Sequence, residues 1–329
     1  MTPLVTLVVL GYNQEDLIEP TIEGALAQDY PRLEIVLNDD VSSDGTYDRM
    51  VRAASQYHGP HRVIAARNTE NRGTLANVYA AANRASGELI LLNGGDDVSY
   101  PHRASSTVEH WLRTGADALH GRVDIIDGSG DVIERGWTAD TSRFWMRDHF
   151  PGQKIEPIYG ASSAYARTVF ERYPLPRERI MSEDAFFTLM LSLDRRPIAF
   201  VPDPLVMYRR HAESLTNEAP VYDAAAIVAR ERRQARFAAS QRDLLLLFAR
   251  ERARRGLDPS TPTLADDIRL FDLRARWMEV GPITRLAAVS AARRRGQMAW
   301  LLPRLGGLRP FLAGKRARQA RRGARAAHP

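Results

Sequence analysis

The chain has 329 residues, 44% of them hydrophobic, and no cysteine. That length can bury a full core, and the missing thiols exclude disulfides, thiolate zinc sites and cysteine nucleophiles and fit a reducing compartment. The net charge of +6 is uneven: residues 280–329 hold 12 Lys or Arg and no acid, while residues 1–279 carry 34 basic and 40 acidic side chains.

The start, "MTPLVTLVVLGYNQED", lacks a basic n-region and a small-residue cleavage site, so it reads as a first strand rather than a signal peptide. No apolar stretch approaches the roughly 18 residues of a membrane-spanning helix, and a cytoplasmic protein is expected. Short, continuously apolar runs follow at Leu4–Leu10, Leu33–Asn38, Arg62–Ala66, Glu88–Asn93 and Ala116–Asp124. Such runs suit strands covered on both faces. Helical patterns lie between them, near Asp16–Gln28, Gly45–Tyr57, Thr74–Ser86 and Pro101–Thr114. The alternation predicts an α/β fold with a mostly parallel sheet flanked by helices, and ligands outside the carboxyl ends of the strands. Pro101 suits a first helical position, whereas Pro20 implies a helix that starts late or kinks. Residues 126–200 are less regular. A helix is expected from Tyr222 to Arg255, broken by "LDPSTPT", with further helices and a disordered basic end. The expected organisation is a domain over 1–220 with halves 1–125 and 126–220, a helical extension over 221–312, and a tail over 313–329.

Three Asp-Asp pairs occur. Asp266–Asp267 sits on a helical pattern among charged residues and needs no special role. Asp39–Asp40 and Asp96–Asp97 each follow an apolar strand directly, in "LEIVLNDDVSSDGT" and "LILLNGGDDVSYP". Carboxylates at the ends of two parallel strands repel unless a cation or donor offsets them. Hard divalent cations favour such oxygens and bridge them to phosphates. Gly94 and Gly95 would let a phosphate ligand approach the backbone. The stretch reads either as a metal–diphosphate seat or as a polar strand exit capping the next helix.

"VTLVVLGYNQEDLIEPTIEGALAQDYPRLEIVLNDDVSSDGT" and "NTENRGTLANVYAAANRASGELILLNGGDD" together resemble a family 2 glycosyltransferase of the GT-A (Rossmann-like) fold, over roughly residues 4–105. The resemblance implies an inverting transferase that takes a sugar from a nucleotide-sugar, with Mn²⁺ or Mg²⁺ holding the diphosphate. Tyr12 would stack on the base, Asp40 would accept from its imide N–H, and Asp39 would support that pocket, with Asn13 structural. Tyr12 as core packing and Asp39 as a turn cap are the plainer readings. The family's Asp-x-Asp motif falls on Gly94-Gly95-Asp96, so its first acid is missing. Asp96 becomes the main metal ligand, Asp97 a second ligand or sugar contact, and Gly95 part of the nucleotide-sugar site.

Removing an acceptor proton needs a base, and "RERIMSEDAFFTLML" offers Glu183 and Asp184. Acids in a first helical turn also simply suit the macrodipole. By resemblance the base comes from this pair, Asp184 ahead of Glu183. "VMYRRHAESLTN" resembles a Tyr-Arg-x-His segment, which makes His211 a metal ligand, and "IYGASSAYAR" would line the acceptor pocket. No Gln-x-x-Arg-Trp segment is present, which favours single addition over processive synthesis. Absent G-x-G-x-x-G, P-loop and G-x-S-x-G motifs remove dinucleotide, P-loop and hydrolase readings.

"ARRRGQMAWLLPRLGGLRPFL" interleaves Arg with Trp300, Leu301, Leu302, Leu305, Leu308 and Phe311, a composition that suits an anionic membrane surface or a solvated helical cap. Nucleic acid is not expected, since no recognition module occurs. The expected setting is surface-glycan assembly on a lipid-linked acceptor, at the inner face of the cell membrane. Two rivals stand beside it: a sugar-phosphate nucleotidyltransferase, and a non-catalytic sugar-nucleotide-binding scaffold.

Overall fold

The computed structural model describes residues 2–138, 145–210, 223–308 and 310–314. The chain divides into two units, Met1–His211 and Ala212–Pro329. In the first, β1 (Val5–Gly11), β2 (Leu33–Asp39), β3 (Arg62–Arg67) and β4 (Leu89–Gly94) run parallel in the order β3-β2-β1-β4. The sheet continues through β8 (Ala164–Ala166), antiparallel to both β4 and β6 (Ala118–Ile126). β6 then pairs in parallel with the long β9 (Ile198–Arg209), and β5 (Val98–Ser99) and β7 (Val132–Trp137) add antiparallel edges. Helices α1 (Ile18–Leu26), α2 (Thr46–Gln56), α3 (Thr74–Arg84), α4 (Arg103–Thr114), α5 (Arg167–Arg172) and α6 (Glu183–Leu193) complete the unit. This is the expected mixed α/β architecture.

Burial explains why the apolar runs become strands. β2 is buried throughout and β1 and β4 nearly so, as strands covered on both faces must be, while β3 at the edge is only half-buried. Register levels the strand ends: Gly11 pairs with Asp39 and Leu10 with Gly94, so both acid pairs emerge at one end of the parallel block. Pro20 falls in the first turn of α1, where its missing N–H needs no partner. The N–H groups of Leu17 and Ile18 both go to the Gln14 carbonyl, which starts that helix late. Pro101 is not the first helical residue: α4 begins at Arg103, whose N–H bonds Tyr100 O at 3.0 Å.

The second unit contains α7 (Ala224–Arg254), α8 (Pro262–Arg276), α9 (Pro282–Ala287), α10 (Val289–Arg294) and α11 (Met298–Leu301). The break between α7 and α8 falls at "LDPSTPT"; Thr261 caps α8 by accepting from Leu264 N, with Pro262 following. Ile227, Leu270, Leu273, Trp277, Ala292, Leu301 and Phe311 form its core.

Two expectations about this unit change. Arg304 is buried, not lipid-facing: it pairs with Glu231 at 2.8 Å and lies 4.8, 4.7 and 5.4 Å from the rings of Trp300, Phe311 and Trp277. Arg274 covers Trp300 at 4.9 Å. Much of the basic-aromatic segment therefore packs inward, because a guanidinium can bury against aromatic faces when one carboxylate neutralises it. Asp266 and Asp267 do have a role, as they take two-pronged bonds from Arg294 and Arg295. Of the tail expected to be disordered, Ala313 and Gly314 are helical, and residues 315–329 lie outside the described ones. No described helix is long and apolar enough to cross a membrane.

Glu231→Ala would strand the buried Arg304 cation. A loss of about 3–5 kcal/mol is expected for breaking such a pair, read as a lower urea midpoint for the transition of this unit.

Candidate active site

The end of β4 is organised around a buried cation. Arg103 donates from Nη1 to Asn93 Oδ1 at 2.6 Å and Ser99 Oγ at 3.0 Å, and from Nη2 to the carbonyls of Leu92 and Ser163. Burial lowers its pKa to about 9, against the opposing pull of Asp97, so it stays charged at neutral pH. Asp97 is buried too. Its Oδ1 accepts from Arg209 N at 2.9 Å, and burial, reinforced by Asp96, holds its carboxyl well above the usual range. Arg209 also donates to Asp96 O at 2.9 Å and to the Asp127 and Gly128 carbonyls at 3.1 Å, tying the acid turn to the β6–β7 loop. Asp97 thus anchors the turn to β9, while Asp96 keeps accessible surface. A Cβ at Gly94 would lie 2.9 Å from Asp96 Oδ1. Gly95 is buried, and a Cβ there would meet Gln14 Oε1, Ile18 Cδ1 and Leu10 O within 2.9 Å, so packing against the β1–α1 loop requires that glycine.

The loops after β1 and β2 are cross-braced. Asp39 accepts from the Ser42 N–H at 3.0 Å and from its hydroxyl, and pairs with Arg67 at 3.1 Å. Asn13 receives bonds from Ser43 and gives its N–H to Ser42 Oγ at 2.9 Å. Asn13 (φ 52°) and Val41 (φ 65°) both take left-handed backbone, which for a β-branched residue costs on the order of 1–3 kcal/mol. Asp40 accepts from Asn68 Nδ2 at 2.9 Å and Gly73 N at 3.2 Å, and burial raises its pKa against these bonds and one from the Arg72 backbone. Tyr12 stands 49% exposed above these loops, so it is not core packing.

Glu183 and Asp184 open α6. Asp184 accepts from Gly160 N at 3.3 Å and Ala185 N at 2.7 Å. A Cβ at Gly160 would meet Glu183 Oε1 at 2.7 Å and Asp184 Oδ2 at 3.3 Å, so the turn rests on both acids. Each keeps a little accessible surface yet lies deep among protein atoms. Burial, then Asp184, pushes Glu183 up to about 8, and burial raises Asp184 against its backbone bonds and the influence of His120. Next to Gly160, Tyr159 is held protonated by burial, then by Tyr208, Asp97 and Asp184. That ring thus sits where the fields of both acid groups reach.

Asp97 and Asp184, one from each acid pair, thus both act on Tyr159, while Tyr12, Asp39 and Asp40 lie at or just after the ends of β1 and β2. His211 lies outside the described residues. Among the described residues no three His, Cys, Asp or Glu side chains gather as a metal nest. A divalent ion held by one or two carboxylates plus ligand phosphates still fits Asp96 by donor chemistry. Arg103 and Arg209 were not foreseen. A cation in the first turn of a helix opposes the macrodipole, and that anomaly in Arg103 was readable in the sequence.

A family model described as Glycosyl transferase family 2 matches residues 6–174, just over half of the chain. The putative glycosyltransferase EpsE of Bacillus subtilis is 34% identical over 108 residues, 32% of this chain and 37% of that protein. The UDP-Glc:alpha-D-GlcNAc-diphosphoundecaprenol beta-1,3-glucosyltransferase WfaP of Escherichia coli is 30% identical over 111 residues, 34% of this chain and 42% of that one. The matches thus span less than two thirds of these relatives. S. aureus TarS 1-349, solved in complex with UDP-GlcNAc, superimposes with a TM-score of 0.56 at 17% identity, covering 95% of this chain and 88% of that one. The mannosyltransferase PcManGT of Pyrobaculum calidifontis, solved with GDP-Man and Mn2+, gives 0.54 at 19%, covering 96% and 84%. At these identities the structural likeness is one of fold.

Glu183 has a folded pKa near 8 against an ordinary 4.5, so the fold holds a proton there that the unfolded chain releases. Stability should therefore fall as pH rises from about 4.5 to 8. Glu183→Gln is expected to flatten that fall and to raise the melting temperature more at pH 8 than at pH 5. An unchanged slope would mean that Glu183 is ionised in the fold.

Proposed function

The chain belongs to glycosyl transferase family 2, and on that premise we propose that it moves one sugar from a nucleotide-sugar, a UDP-sugar by preference, to an acceptor hydroxyl with inversion. The observation that carries this reading is that Asp97 and Asp184, from two separate acid pairs, both act on Tyr159, in a sheet whose parallel strand ends also present Tyr12 and Asp40. The exposed Tyr12 face would hold the base, and Asp40 would accept from its imide N–H while its bonds to Asn68 and Gly73 fix its orientation. Asp39 holds the loop rather than the ligand.

Asp184 would take the proton of the acceptor hydroxyl as the new bond forms, and its raised pKa brings it closer to a working base. Glu183 keeps its proton near neutral pH, which spares Asp184 a second negative charge and offers an O–H donor. Asp96 would hold the divalent cation, Mn²⁺ or Mg²⁺, with His211 as a further ligand; when bound, the ion neutralises the leaving diphosphate. Gly94 in place of an acid leaves room over which Asp96 folds, consistent with one dominant protein ligand. We further place the reaction on a lipid-linked glycan at an anionic inner membrane surface. Support comes from the acceptor in the name of WfaP, the acid-free basic C-terminal stretch, and the exposed Ile283 and Leu286 of α9.

Calorimetric titration with UDP, GDP, CDP and dTDP, with and without Mn²⁺, tests the donor site. One nucleotide should bind in a metal-dependent way, and Asp96→Ala should abolish that binding. Asp184→Asn should lower turnover on the order of 10²–10⁴-fold while nucleotide affinity stays the same. Unchanged turnover would remove Asp184 as the base, and nucleotide binding without any turnover in the wild type would favour the scaffold reading.

A further inference from the structure

We infer that Trp137, Tyr159 and Tyr208, with Arg210, form the acceptor subsite: an aromatic shelf for a pyranose ring beside a cation for a phosphate of the acceptor's carrier. The inference rests on the glycosyl-transfer reading above.

The shelf is a built feature. The rings of Trp137 and Tyr159 lie 5.0 Å apart at 55°, and those of Tyr159 and Tyr208 lie 5.8 Å apart at 68°. All three residues are half-buried and pack against the core of the sheet. Trp137 ends β7, and the residue before it is fixed: Gly136 takes φ 60° and gives its N–H to Asp124 Oδ1 at 2.7 Å. Asp124 is held in turn by the Tyr100 hydroxyl at 2.7 Å and by Arg135 at 3.2 Å. A buried carboxylate with three donors makes a rigid mount for an indole at a sheet edge.

The cation is equally placed. Arg210 N bonds Ile126 O at 2.9 Å, and its guanidinium stands 5.7 Å from the Trp137 ring. Arg210 is exposed, and among the described residues no carboxylate pairs with it. Its neighbour Arg209 is buried and spends its donors on the fold. An Arg stacked on an indole has its planar fork oriented in advance, which suits two-pronged recognition of phosphate.

The subsite borders the reacting groups. Tyr159 directly precedes Gly160, whose N–H bonds Asp184. An acceptor ring lying on Trp137 and Tyr159 would present its hydroxyl edge toward that carboxylate. Flat apolar faces take the C–H face of a pyranose, and a few polar groups orient it.

The phosphate bound by Arg210 could belong to the donor or to the acceptor's carrier, and two probes separate them. UDP with Mn²⁺ reports the donor side; N-acetylglucosamine linked through diphosphate to a short prenyl chain reports the acceptor side. Trp137→Ala and Arg210→Gln should each weaken binding of the prenyl probe by about tenfold or more and leave UDP affinity within about twofold. Trp137→Phe should retain most of the affinity, and the unchanged UDP affinity certifies that the variants are folded. Equal affinity of both variants for the prenyl probe overturns the inference. So does a parallel loss of UDP affinity in Arg210→Gln, which would give the cation to the donor. Wild type that binds UDP but not the prenyl probe sinks the subsite alone, whereas failure to bind any nucleotide sinks the transferase reading first.

Discussion

A carboxyl buried at the end of a strand needs a nearby cation, hydrogen-bond donors or a retained proton to offset its lost hydration. For Asp97 that cation is the guanidinium of Arg103, sealed behind β4 and bonded to Asn93, Ser99, Leu92 and Ser163. It ties together the last residues of β4, the short β5 and the turn before β8, and its field offsets the buried Asp97. Desolvating an ion is expensive unless it is partnered; the two terminal nitrogens of Arg103 find neutral acceptors, while its buried Nε has none. The arrangement leaves Asp97 tied inward and lets Asp96 keep accessible surface. Much else at this end of the sheet follows from that division of labour between two adjacent acids.

The second acid pair solves the same problem differently. No Arg or Lys is prominent among the charges acting on Glu183 and Asp184; backbone N–H groups and the opening turn of α6 stabilise one of them, and a retained proton neutralises the other. One group therefore relies on a fixed cation and the other on protonation.

The parallel half of the sheet was legible because its strands are long, continuously apolar and followed by turn residues. β7 and β8 were not: β7 is mostly exposed and mixes charged with apolar residues, β8 has three residues, and neither carries a run that a periodicity argument can recognise. At the site, the acid pairs were visible from their place after apolar runs, but their division into inward and outward members was not. That division depends on Arg209, whose partner in space is 112 residues away in sequence. Gly95 was assigned to ligand approach for a sound reason, yet the close neighbour is the β1–α1 loop of the same chain. In the basic C-terminal segment, composition did not show which Arg side chains pack inward. Arg294, Arg295 and Arg304 answer to Asp266, Asp267 and Glu231, and no local pattern reports a pairing over 28 or 73 residues.

The brace between the loops after β1 and β2 carries one more implication. Ser42 accepts from Asn13, Ser43 donates to Asn13, and Asp39 clamps Ser42 while Val41 is held in a conformation it would not choose alone. Neither loop can change length independently, since an inserted residue in one would pull apart bonds that set the backbone of the other. The two segments behave as a single rigid part split across roughly thirty residues of sequence. Under the proposed nucleotide-sugar reading, a change of nucleotide would then come from side-chain exchange on a fixed frame, or from replacing both loops together.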